Sequence, residues 1–69
     1  MTLTIDKNAI EQIAFWVTKN DLCNPYEDLT TMVKDFFRAD NISFSTPEDE
    51  SEYRRLTIRF NFLKNNGRG

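Results

Sequence analysis

The sequence predicts an α+β fold in the order β-α-α-β-β, with two antiparallel helices packed on one face of a small, mainly antiparallel three-stranded sheet. Three observations predict it. Between Tyr53 and Lys64 the apolar Leu56, Ile58, Phe60 and Phe62 alternate with Arg55, Thr57, Arg59 and Asn61, which is the two-residue period of a half-buried strand. Two earlier segments repeat apolar residues at the 3.6-residue period of a helix. The 69 residues suffice for one small core. Residues 1–64 are therefore expected to form one compact domain, with the polar, glycine-containing 65–69 as a frayed tail.

Taken in order, Thr2-Leu3-Thr4-Ile5 alternates and reads as a short strand with Leu3 and Ile5 inward. Asn8 followed by Glu11 has the shape of a capping box, and Ile10, Ile13, Ala14 and Val17 then form the buried stripe of a helix ending near Lys19. Phe15 falls nearly opposite that stripe and Trp16 on its margin. A short connection through Leu22 and Cys23 leads to Asn24-Pro25-Tyr26-Glu27, which carries the signals of a second helix start. That helix is expected to run from Pro25 to Arg38, with Tyr26, Leu29, Met32, Val33, Phe36 and Phe37 along one side. Ile42-Ser43-Phe44-Ser45 alternates again, and the acidic stretch from Thr46 to Glu52, opened by Pro47, reads as the turn into the long strand.

Composition bounds the function. A hydrophobic fraction of 39% with six phenylalanines is too high for a disordered chain, and no apolar run approaches the ~20 residues of a membrane helix. The first residues lack the basic and apolar segments of a secretory signal, and one cysteine builds no disulfide framework; both point to a cytoplasmic protein with no membrane partner. Net charge is −2, yet the five bases after Tyr53 meet no acid, while all 11 acids lie before it. The molecule is electrically two-sided, and one pole could steer a partner.

The chemical inventory is small. Histidine is absent, which removes catalytic triads and the common zinc sites. Cys23 has no neighbouring base in sequence to activate it and reads as a small buried hydrophobe. The carboxylates of Glu48, Asp49, Glu50 and Glu52 lack the glycine turn and ligand spacing of a calcium loop. Gly67 and Gly69, both in the tail, cannot make a phosphate cradle. No catalytic residue, metal ligand or cofactor is assigned.

Elimination leaves binding. The expectation is a small non-enzymatic protein, an adaptor or inhibitor of the kind found among very small bacterial or viral proteins, that occupies the surface of a larger protein. Its binding residues would be Phe15 and Trp16, aromatics outside the core stripe, with Glu11, Glu27 and Asp28 complementing a basic surface. The polar sheet face carrying Arg55, Thr57, Arg59 and Asn61 is the alternative. Its use for nucleic acid ranks lower, because the aromatics Phe44, Phe60 and Phe62 lie on the other face of that strand system.

Thr2-Leu3-Thr4-Ile5, a helix from near Asn8, a short connection through Leu22 and a second helix from Pro25 also resemble the ribbon-helix-helix repressors over residues 2–37. The resemblance implies a homodimer in which the N-terminal strands pair and Thr2 and Thr4 enter the major groove. The backbone of Asn24 to Tyr26 would hold phosphate. Residues 42–64 lie outside the resemblance. A dimeric DNA-binding regulator is accordingly the alternative function.

Overall fold

The computed structural model describes residues 1–66. The opening strand, β1 (Thr2–Ile5), stands where the alternation placed it, with Ile5 fully buried and Leu3 half-buried. Helix α1 (Lys7–Val17) follows at once. Its cap is Asp6 and not Asn8: the Asp6 carboxylate accepts the Ala9 N–H at 2.9 Å, satisfying a donor that the first helical turn leaves free. Ile13 and Val17 are buried and Ile10 and Ala14 half-buried, so the expected stripe faces the core.

The second helix starts later than the expected Pro25, and the expected connection before it holds a helical turn of its own. Asn20–Cys23 forms the single turn α2, and the chain re-enters helix only at α3 (Leu29–Phe37), capped by Asp28 through its bond from the Thr31 N–H at 2.7 Å. Asn24-Pro25 lies between them, outside either helix. The apolar side expected of this segment faces the core: Leu29, Met32 and Val33 are buried, with Tyr26, Phe36 and Phe37 packed at the margin. Arg38 closes α3 in the left-handed region, φ 56° and ψ 46°, where the Ala39 N–H returns to the Lys34 carbonyl at 2.9 Å.

The largest correction concerns Tyr53 to Lys64, which is helix and not strand. Helix α4 (Pro47–Asn66) begins in the acidic stretch that reads as a turn. Thr46 and Asp49 form a reciprocal cap, the Asp49 N–H donating to Thr46 Oγ1 at 3.2 Å and that hydroxyl donating to the Asp49 carboxylate at 2.9 Å. Pro47 takes the first helical position, where its missing N–H costs nothing, and Glu48, Asp49 and Glu50 meet the positive end of the helix dipole. The buried side is Tyr53, Leu56, Phe60 and Leu63, spaced i, i+3, i+7 and i+10. Alternation of Leu56, Ile58, Phe60 and Phe62 shares only two members with that series. Asn65 and Asn66 end α4; the rest of the expected tail, residues 67–69, lies outside the described residues.

Without a strand at 53–64 no three-stranded antiparallel sheet exists. β2 (Asn41–Phe44) pairs in parallel with β1, in the register Thr2 with Asn41 through Ile5 with Phe44. Parallel pairing follows from the three intervening helices, which carry the chain back to the end of the sheet where it began. The fold remains α+β, with four helices and a two-stranded parallel sheet among the described residues. Helices α1, α2 and α3 and strand β2 all pack on α4. The core between them is Ile5, Ile13, Val17, Cys23, Leu29, Met32, Val33, Tyr53 and Phe60. The Tyr53 hydroxyl is paired with that of Thr30 at 2.7 Å, and burial pushes its pKa above the usual value. No described helix is long and apolar enough to cross a membrane.

Candidate functional site

With the helical period in place, the outer side of α4 can be read residue by residue. At ~100° per residue, Ile58 and Phe62 lie one turn apart on the side turned away from Phe60. Ile58 is 68% exposed and Phe62 63%, against 1% for Phe60. Two large apolar side chains on successive turns of one helix form a ridge, and water covers it at a cost of ~1.5 to 3 kcal/mol per side chain relative to full burial.

Arginines border the ridge on both sides, Arg54 on one and Arg55 and Arg59 on the other. Arg54 lies 3.7 Å from Glu50 and Arg55 3.5 Å from Glu52, all four side chains largely in solvent; such pairs hold a charge loosely, at ~0 to 1 kcal/mol. Arg59 has no carboxylate within 4.0 Å among the described residues. Two shallow hollows flank the ridge. One, of about 550 Å³, runs between Ile58 and Phe62 and the half-buried Leu56 and Leu63, with Arg55 and Arg59 along it and Glu52, the partner of Arg55, at its N-terminal end. The other, of about 360 Å³, lies against β2 and is walled by Phe44, Glu50, Tyr53, Arg54 and Thr57. Ile58 borders both.

The residues nominated from sequence are spread over the molecule. Phe15 is 55% exposed on the outer side of α1, with Lys19 Nζ 5.0 Å from its ring centre, and Glu11 is exposed one turn before it. Trp16 packs inward, edge-on to Phe36 at 4.7 Å and tilted against Phe37 at 5.2 Å. Asp28 caps α3, and the Thr31 hydrogen bonds hold its carboxyl below the usual range. Glu27 is exposed beside Asn61 and Lys64. Phe15 and Glu11 thus share a surface, while Trp16, Glu27 and Asp28 do not join it. Glu11 also lines a groove of about 540 Å³ between α1 and α4 where the carboxylates of Glu11, Glu48, Asp49 and Glu52 outnumber Lys7 and Arg55. That excess of carboxylates disfavours an anion there.

The alternative set is likewise divided by the change from strand to helix. Arg55 and Arg59 stay neighbours, one turn apart, but Thr57 turns inward and donates to the Tyr53 carbonyl at 3.1 Å, and Asn61 lies round the helix from them. The backbone of Asn24 to Tyr26, implied as a phosphate holder, is not the start of a helix here. Cys23 is buried, its thiol directed at the Trp16 and Val17 carbonyls and its pKa raised by desolvation, which Lys64 partly offsets. Among the described residues no three potential ligands cluster to hold a metal ion.

Alternation along 53–64 assigns Ile58 and Phe62 to the core and so hides them as surface residues. The signal that finds them is the stripe Tyr53, Leu56, Phe60, Leu63, which excludes both. Comparison of the chain with family models, with curated proteins and with solved structures finds no match.

Proposed function

We propose that this chain is a non-enzymatic protein-binding protein, an adaptor or inhibitor that acts by occupying the surface of a larger protein, and that it docks through the outer side of α4. One observation carries the reading: Ile58 and Phe62 are exposed side by side on a helix whose other side forms the core. Large apolar side chains bordered by arginine are the composition of binding hot spots. Their exposure makes them dispensable for folding, so the reading is separable from stability.

Affinity capture from the native host with the full chain and with an Ile58→Ser/Phe62→Ser variant tests it. The variant is expected to keep the thermal midpoint and lose a protein that the unaltered chain retains, because losing two hot-spot side chains weakens binding by ~2 kcal/mol or more each. Equal recovery of every protein by the two chains would place the docking surface elsewhere. Phe15→Ala serves as the comparison, since Phe15 is exposed on a different helix.

A further inference from the structure

Resting on α4 as the docking side, we infer that the partner presents an acidic amphipathic helix, with apolar side chains one turn apart and carboxylates on both flanks. The shape of the ridge specifies the first half. Ile58 and Phe62 are an i, i+4 pair rising ~6 Å along the axis, and the hollow beside them is bounded by the next rows of the same helix, Arg55 with Arg59 and Leu56 with Leu63. Rows spaced by four residues are the ridges and grooves with which helices most often interlock.

Charge specifies the second half. From Tyr53 to Asn66 the helix has four bases, Arg54, Arg55, Arg59 and Lys64, and no acid. Arginines border the ridge on both sides, Arg54 and Arg55 in loose, exposed pairs with Glu50 and Glu52 that a partner carboxylate can replace, so a helix laid across it meets guanidinium groups along both of its own flanks. Guanidinium is the cation that best matches a carboxylate, through paired N–H donors, and Arg59 has no carboxylate of its own within reach among the described residues.

A second copy fits this surface poorly. The acids of α4, Glu48, Asp49, Glu50 and Glu52, all precede the ridge in the first turns of the helix, with Glu50 and Glu52 reaching the hollows beside Ile58. An antiparallel copy that set Glu52 against Arg59 would seat Ile58 and Phe62 against polar turns. Matching apolar to apolar would bring the two Arg59 side chains together.

The test uses the full chain, isotopically labelled, titrated by NMR with a short synthetic helical peptide whose leucines lie one turn apart between flanking glutamates. The same peptide with lysine for every glutamate is the control. The acidic peptide is expected to shift the amides from Arg54 to Leu63 and to bind at least about tenfold more tightly than the basic one. Arg54→Glu/Arg55→Glu/Arg59→Glu should remove that preference while leaving the folded spectrum intact, because all three side chains are exposed. Equal binding of both peptides, or shifts confined to other elements, would overturn the inference. So would a dimeric mass abolished by Ile58→Ser/Phe62→Ser, or retention of duplex DNA lost in the arginine variant. Host capture separates the two levels. Survival under arginine reversal with loss under Ile58→Ser/Phe62→Ser defeats the acidic partner and leaves the docking side standing, whereas survival under Ile58→Ser/Phe62→Ser defeats both.

Discussion

Phe60 and Phe62 are the same residue type two positions apart, and α4 turns them about 200° from one another. Phe60 is among the largest fully buried side chains, while Phe62 stands in solvent. Phe60→Ala is therefore expected to destabilise by ~3 to 5 kcal/mol through lost transfer energy and a residual cavity. Phe62→Ala should change stability by less than ~0.5 kcal/mol. Urea unfolding of the two variants checks this directly, because a strand would place both rings on one side and predict similar losses. Trp16 illustrates the opposite surprise. It lies at the margin of the α1 stripe, yet α3 supplies Phe36 and Phe37 to cover it, so a residue that local periodicity leaves half outside packs against the core.

At the scale of elements, the helices are delimited by short side chains at their starts. Asp6, Asp28 and Thr46 each accept a backbone N–H three residues on. Asp28→Ala is expected to cost about 1 kcal/mol at neutral pH, the usual worth of such a cap. The pH dependence has a definite sign. Bonds from Thr31 hold the Asp28 carboxyl below its usual value, so its contribution is present above the unfolded-state pKa and is lost as pH falls through the folded one. The stability difference between the native chain and Asp28→Ala should accordingly narrow on acidification, as chemical denaturation at neutral and strongly acidic pH would reveal; a constant difference would mean that Asp28 does not act as a charged cap. At the other end of α3, Arg38 tolerates a left-handed conformation that glycine adopts more readily, because the return bond from Ala39 closes the helix.

The whole molecule is organised on α4. Its 20 residues span ~30 Å, and every other element except β1 rests substantially on it. A two-stranded sheet has little stability alone, so β1 and β2 depend on the helices that cover them. The ion pairs add little: Met1 with Asp40, Arg54 with Glu50 and Arg55 with Glu52 are all solvent-exposed and are screened by salt. Raising salt from low to high ionic strength should therefore shift unfolding free energy by less than ~1 kcal/mol, measured as denaturation midpoints at the two conditions. A larger loss would show that the separated charges stabilise the fold. With folding insensitive to salt, any salt dependence of association reports on the arginine-bordered side of α4.

The sequence by itself determined the α+β composition, the strand Thr2–Ile5, the inward stripes of α1 and α3 and the polarity of charge along the chain, because each rests on a local period or on counting. It also held the start of α4, in Thr46-Pro47-Glu48-Asp49, and its buried stripe. What it left open was which of two overlapping periods governs residues 53–64, since Leu56 and Phe60 belong to both. Tertiary structure decided that. β2 is four residues long and cannot ladder a strand from Tyr53 to Lys64, whereas a helix satisfies its interior backbone groups internally and still gives Tyr53, Leu56, Phe60 and Leu63 to the core. The same decision moved Ile58 and Phe62 from the interior to the surface. The candidate binding side exists only once a three-dimensional core has chosen which apolar residues it can enclose.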